Sequence, residues 1–361
     1  MSIFDRFYME GYQATNLKPP QEDRWVAQPF HRGYLLAVLD GHINDEVSDQ
    51  AANRLAHYFQ LGFERELPHQ QRTDAAWREE FLAGLTPEAI QAWIAERGSP
   101  SFEFDLWEMG LDTATADDNE KRDQINQLAQ DYMADYALAE HRGKSTIDDS
   151  LRATVTQLVE DFGDSTAGST LSMAYVYPTE DALHIHTAQL GDSAIVILTP
   201  EDELHVTADH SVHTCESDRA AIQNEIDRAH FVEDHRSVFY RAHFTPAMAP
   251  AYLMNDTGDL GVGLAMTRAL GDKELEGLLI REPDVQGFSA PRGSLILGVT
   301  DGVHVADTVE ARHGVYREIA QRLVAGERAQ AIGDELAQRP DHDDNITIVA
   351  LHDACHIRGN T

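Results

Sequence analysis

Hydrophobic and polar positions change rhythm along the chain. Near the N-terminus an unbroken apolar run, Gly33-Tyr34-Leu35-Leu36-Ala37-Val38-Leu39, stops abruptly at Asp40-Gly41-His42 and predicts a strand. Val47, Ala51, Leu55 and Phe59 then recur every four residues, which predicts a helix. Residues 61–165 read as helical throughout. Thr86-Pro87-Glu88 is a helix start, with Thr as N-cap, Pro at the first position and an acid in the first turn, and Gly98 is the stop. Ile125, Leu128, Ala129, Tyr132, Met133 and Tyr136 form an apolar stripe that should end near Gly143. Ile147, Leu151, Val155, Leu158 and Phe162 form another, while the acidic, irregular Ser99 to Asn119 is expected to be loop.

Beyond residue 165 strands and turns alternate. Leu171 to Val176 and Ala182 to Thr187 predict a hairpin, Ala194 to Leu198 a strand after Gly191-Asp192, and Ser294 to Val299 a strand ending at Thr300-Asp301-Gly302. Helical spacing returns at Val315, Ile319 and Leu323, then at Ile332 and Leu336, before a last strand from Ile346 to Leu351. Hairpin-like strands beside grouped helices give an α+β class rather than a parallel α/β alternation.

Charge changes the picture most. The 361 residues carry 28 Lys+Arg against 62 Asp+Glu, a net charge of −34, so the chain should repel nucleic acid and anionic membrane surfaces. Two cysteines, Cys215 and Cys355, make neither a disulfide framework nor a thiolate metal site. No basic segment followed by an apolar stretch opens the chain, and no apolar run reaches membrane-spanning length. A cytoplasmic location is the expectation.

One chemical pattern recurs. An apolar strand ends and an Asp follows at once beside Gly or Asn: Leu39-Asp40-Gly41, Leu190-Gly191-Asp192, Thr300-Asp301-Gly302, and Asp344-Asn345 before Ile346. A carboxylate there is rigidly aimed, yet it sits at the rim of the core where water can reach it. Several converging would repel one another unless a cation lay between them. Oxygen ligands without Cys or a paired-His motif suit hard ions such as Mg²⁺ or Mn²⁺. Gln21-Glu22-Asp23, before another short strand, extends the set.

These motifs resemble the metal-dependent Ser/Thr protein phosphatases of the protein phosphatase 2C type. In order they are Glu22-Asp23; Asp40-Gly41-His42; Gly168-Ser169-Thr170; Gly191-Asp192-Ser193; Thr207-Ala208-Asp209-His210; Arg268-Ala269-Leu270-Gly271-Asp272; Glu282-Pro283-Asp284-Val285; Thr300-Asp301-Gly302; and Asp344-Asn345-Ile346-Thr347. The resemblance covers residues 22 to 351, with 61–165 largely outside it. It implies a four-layer αββα sandwich of two antiparallel sheets flanked by helices. The chain is then one catalytic domain with a helical insertion at 61–165 and a flap-like region at 213–262.

The resemblance also implies a two-ion centre. Asp40 would bridge both ions, with Asp301 and Asp344 on one and Glu22 and the Gly41 carbonyl on the other. Asp192 matches a position that holds a weaker third ion in some members. Asp23 and Asn345 would support the ligands from behind. The implied reaction is hydrolysis of phosphoserine or phosphothreonine in proteins by a metal-bridging hydroxide, with His42 protonating the leaving oxygen. Arg268 and Asp272 are expected to stabilise the fold as an internal ion pair, and Asp209 and His210 to stabilise it likewise.

The chain departs from the family at three places. Lys18 stands where an Arg usually grips the substrate phosphate, and it lacks that side chain's bidentate fork. Val305 replaces a second Asp four residues after Asp301, and Ile43-Asn44-Asp45 replaces small residues. Two alternatives therefore stand beside a protein phosphatase: a weak or inactive phosphatase-fold binding module, and a phosphatase for a small metabolite. A docking partner at 61–165 is a further expectation.

Overall fold

The computed structural model describes residues 7–14, 20–31, 33–97, 119–231, 239, 241–245, 251–256, 262–304, 308–339 and 344–353. Lys18, Val305 and His342 lie outside them, as does nearly all of the loop expected at 99–119. Contacts divide the chain into two units, one of residues 1–62 with 150–361 and the other of 63–149.

The strands up to the first helix are β1 (Phe7–Ala14), β2 (Arg24–Phe30), β3 (Gly33–Leu39) and β4 (Gly41–His42). Helices α1 (Glu46–Gly84), α2 (Pro87–Arg97) and α3 (Asn119–Phe162) follow. Next come β5 (Gly168–Ser169), β6 (Leu171–Pro178), β7 (Ala182–Leu190), β8 (Ala194–Leu198), β9 (Leu204–Val206) and α4 (Glu216–Phe231). Three short strands, β10 (Ala242–Phe244), β11 (Leu253–Asn255) and β12 (Val262–Leu264), precede β13 (Leu270–Gly271), β14 (Asp284–Pro291) and β15 (Leu295–Val299). The chain closes with α5 (Val309–Val324), α6 (Ala329–Ala337) and β16 (Ile346–Asp353).

Two five-stranded antiparallel sheets organise the first unit, in orders β1-β16-β15-β8-β9 and β14-β7-β6-β3-β2. Period-2 alternation gives each sheet one face toward the other. Leu36, Val38, Ala174 and Ile185 from one sheet share a core with Ile195, Ile197, Ile296 and Val349 from the other. The opposite face of the first sheet is covered by Tyr316, Ile319 and Leu323 of α5 and Ile332 and Leu336 of α6. The second sheet is backed by the first-unit parts of α1 and α3, where Phe59 packs 5.3 Å from the Tyr175 ring and Leu55, Leu151 and Leu158 are fully buried. The expected four-layer αββα arrangement is the one found.

Three features differ from the sequence reading. Gly143 does not end a helix, because α3 runs unbroken through it. A mid-helix Gly costs only about 1 kcal/mol, and the apolar stripe to either side sustains the helix. Strand β1 and helix α4 have no counterpart in the sequence reading; β1 is half-buried along its length and lacks clean alternation. The second unit packs Ile90, Ile125 and Ala129 into a small core of its own, and Thr86 Oγ caps α2 by accepting from Ala89 N at 3.2 Å.

Candidate metal centre

Antiparallel pairing explains why the acidic residues meet. Strands β2 and β3 are neighbours with Arg24 opposite Leu39, so Glu22 and Asp23 enter beside the end where Asp40 leaves. Strands β15 and β16 are neighbours with Val299 opposite Ile348, so Asp301 leaves where Asp344 enters. The two strand pairs belong to different sheets, and hydrogen bonds join them at this edge. Asn345 Oδ1 accepts from the Glu22 amide at 2.6 Å, and the Thr300 hydroxyl donates to Asp23 Oδ2 at 2.9 Å. That same hydroxyl accepts from the Thr347 amide at 3.0 Å.

Each acid is held by its own local support. Ser48 Oγ donates to the Glu22 carbonyl at 2.5 Å, and Asp40 N donates to Thr170 Oγ1 at 3.0 Å. Arg24 grips the Gln21 and Asp23 carbonyls at 3.0 and 2.7 Å. It also pairs with Asp45 and Asp49 at the start of α1. Asp301 opens a 3-10 turn to Val303. Gly302 is required there, because a side chain would drive into the Asn345 carbonyl.

The electrostatics set this edge apart. Burial pushes the Asp40 carboxyl well above the usual carboxylate range, and the Asp23, Asp301 and Asp344 charges push the same way. Asp23, fully buried, is pushed up to about 7, first by burial, with Asp301 and Asp344 adding and the Thr300 and Thr347 hydroxyls opposing. Asp192 is raised by burial and by Asp301 and Asp209, with Arg312 opposing. Perturbed carboxylates gathered at one edge mark a candidate functional site. Among the described residues, buried oxygens of Asp23, Asp192 and Asp301 (Oδ1 in each) meet no hydrogen-bond partner.

These features fit a hard divalent cation in donor type and in charge. All the donors are oxygens, and the lone pairs left over are buried. Among the described residues no group of three or more His, Cys, Asp or Glu side chains is arranged to hold a metal ion. Acids that raise one another's proton affinity in this way repel, and that repulsion holds them apart.

The structure thus brings Glu22, Asp23, Asp40, Asp301, Asp344 and Asn345 to one edge, with Asp192 coupled to it through Asp301. Lys18 falls outside the described residues. His42 is not a freely placed histidine: its Nε2 lies 2.8 Å from both oxygens of Asp272. That overturns the expected Arg268–Asp272 pair. Arg268 instead forks onto Asp218 at 2.6 and 2.8 Å, and Asp218 is supplied by the unforeseen α4. Asp209 pairs with the buried Arg312 at 2.6 Å. Burial and the Arg268 charge hold His210 down to about 4, so it stays neutral. Its Nδ1 accepts from Gly191 N, beside Asp192.

Comparison with known proteins agrees with this architecture. A serine-threonine phosphatase 2C from Toxoplasma gondii is similar over 96% of this chain and 94% of that one, at 18% identity and a TM-score of 0.53. A C. elegans sex determining protein is similar over 96% of this chain and 64% of that one, at 16% identity and a TM-score of 0.54. A phosphatase from a pathogenic strain of T. gondii matches over 96% and 92%, at 13% identity and a TM-score of 0.53. At such identities the likeness is one of fold. No curated protein sequence matches the chain. No helix among the described residues is long and apolar enough to cross a membrane. The family model described as protein phosphatase 2C matches residues 106–294. It therefore takes in part of the stretch expected to lie outside the resemblance, and stops short of Glu22, Asp40, Asp301 and Asp344. With more than half of the chain matched and the fold in agreement, this chain belongs to the protein phosphatase 2C family.

Proposed function

We propose that this chain is a metal-dependent phosphatase that hydrolyses phosphoserine or phosphothreonine in proteins. The observation that carries the reading is a group of mutually repelling carboxylates, drawn from four separate segments, whose buried oxygens find no partner among the described residues. Glu22, Asp40, Asp301, Asp344 and the Gly41 carbonyl would hold two Mg²⁺ or Mn²⁺ ions. Bound there, such ions would supply Lewis acidity toward water and phosphate and would neutralise charge on the phosphoryl oxygens.

The chain's own residues do the rest. Asn345 and Thr300 tie the Glu22-Asp23 turn to the β15–β16 end, so that acids from both sheets are fixed relative to each other. Such support from behind a ligand is worth roughly 10–100-fold in affinity or activity. His42, two residues after Asp40, is the acid for the departing seryl or threonyl oxygen. Lys18 would meet the phosphate as a point charge. Asp192 has Arg312 nearby as a fixed cation, which makes a third ion there the weakest of the assignments.

Hydrolysis of a phosphothreonine peptide and of p-nitrophenyl phosphate, with Mn²⁺ and then with EDTA, tests the reading. Wild type should turn over both substrates only with metal, and Asp301→Asn should lose more than ~10²-fold. Turnover of neither substrate in any metal would favour the binding-module alternative. Turnover of small phosphate esters without the peptide would favour a metabolite phosphatase.

A further inference from the structure

We propose that Asp272 is the positioning residue for His42, fixing its ring so that Nε2 is committed to the protein and Nδ1 is the nitrogen that meets substrate. The inference rests on the phosphatase reading for what His42 does, and on geometry alone for how it is held.

Three segments distant in sequence converge on this one ring. Strand β4 pairs with β5 so that His42 lies opposite Gly168, and β5 pairs with β13 so that Gly168 lies opposite Gly271. Asp272 follows immediately. Its backbone sits in the left-handed region at φ 54 and ψ 56, a conformation that few residues other than Gly, Asn and Asp adopt. That backbone is pinned. Asp272 N donates to the Ala167 carbonyl at 3.1 Å and Leu275 N donates to the Asp272 carbonyl at 2.9 Å. The Arg281 guanidinium grips the Ala269 and Gly271 carbonyls just before it.

The result is a carboxylate only 1% exposed, with both oxygens 2.8 Å from Nε2 of an imidazole that is itself 17% exposed. Gly168 makes the approach feasible, since any side chain there would collide with both His42 Nε2 and Asp272 Oδ2. A contact serving the fold alone would have no need to leave one partner part-exposed two residues after Asp40. A buried acid accepting from one ring nitrogen fixes the ring's orientation and keeps the Nε2 proton in place; the proton passed to the leaving oxygen is then the Nδ1 proton of the imidazolium, and its loss leaves the neutral Nε2–H ring.

Two measurements on the full chain test this, and they fail separately. The first needs no turnover. Nitrogen-15 NMR of histidine-labelled protein, recorded at a pH high enough to make the ring neutral and with the His42 signal assigned by its loss in His42→Ala, should show the Nε2–H form in wild type. Asp272→Ala should show a mixture of tautomers, and Asp272→Asn, which keeps the volume and one acceptor, an intermediate. An Nδ1–H form in wild type, or no change in either variant, overturns the positioning claim.

The second measurement reads its use. With Mn²⁺ bound, Asp272→Ala should lower kcat on the phosphothreonine peptide by roughly 10²-fold or more, with KM nearly constant. The fall on p-nitrophenyl phosphate should be far smaller, because p-nitrophenolate departs without needing a proton. Adding Asp272→Ala to His42→Ala should cost little more than His42→Ala alone, since residues acting as a unit are not additive. Equal losses on both substrates, or losses that multiply, overturn a role through His42. Correct tautomers without turnover of either substrate would sink the phosphatase reading and leave the positioning intact.

Discussion

Two acidic centres in the first unit begin alike and end differently. Asp218 and Asp40 are both carboxylates on which burial acts first and in the same direction, toward the protonated form. At Asp218 the Arg268 fork and the Thr267 hydroxyl overcome burial and hold the carboxyl below its ordinary range. At Asp40 the neighbours are Asp23, Asp301 and Asp344, which add to burial instead of opposing it. An acid balanced by a fixed cation from the same chain is finished when the chain folds. An acid surrounded by other acids is neutralised either by a proton or by a bound cation. On this contrast Asp218–Arg268 belongs to the fold, and the Asp40 group is the candidate for the proposed chemistry.

The contrast can be broken from the structural side first. Asp218→Ala leaves the Arg268 guanidinium mostly buried and unpaired, and should cost about 3–5 kcal/mol of stability in denaturant unfolding. Mn²⁺ affinity of the molecules that remain folded should hardly move. A large loss of metal affinity with little loss of stability would reverse the two roles. Asn345→Ala works on the other centre. It removes the acceptor of the Glu22 amide and should weaken Mn²⁺ binding by about 10-fold or somewhat more, with a stability loss of about 1–3 kcal/mol.

A Tm shift of a few degrees with pH tests the electrostatics of the same group. Asp23 has its folded-state pKa raised to about 7, against about 3.9 when unfolded. Between those values the folded state holds a proton that the unfolded state has released. Stability of the metal-free protein from this group is therefore greatest below about pH 4 and is lost as pH rises toward 7. Thermal melts in EDTA should show that decline over the window. Mn²⁺ should abolish it, and Asp23→Asn should flatten it. A metal-free melt that is flat or rising across the window would contradict the assigned cause.

How far the sequence carried these conclusions depends on range. Asp40, Asp301 and Asp344 were legible because each directly adjoins an apolar strand, and the pattern that makes the strand also places the acid. Glu22 and Asp23 were legible for the same reason at the start of β2. The partners of buried charges were not. Asp272 lies 230 residues from His42, and Asp218 lies 50 from Arg268 on a helix with weak amphipathic pattern. Nothing local marks either pairing, and the nearest plausible partners, Arg268 and Asp272, were joined wrongly. A signal did exist for Asp272: an acid directly after a Gly within a motif, which is where a left-handed turn can present a side chain. Gly143 misled for the opposite reason, since a helix breaker by propensity was overruled by the stripe around it.

The central question is whether the carboxylates around Asp40 bind a metal ion. Equilibrium dialysis of the EDTA-treated, folded chain against Mn²⁺ asks this directly, with Asp301→Asn and Asp218→Ala in parallel. The prediction is saturable binding by wild type, strong loss in Asp301→Asn, and binding retained in Asp218→Ala. Wild type that binds no Mn²⁺, or Asp301→Asn that binds as wild type does, would contradict it.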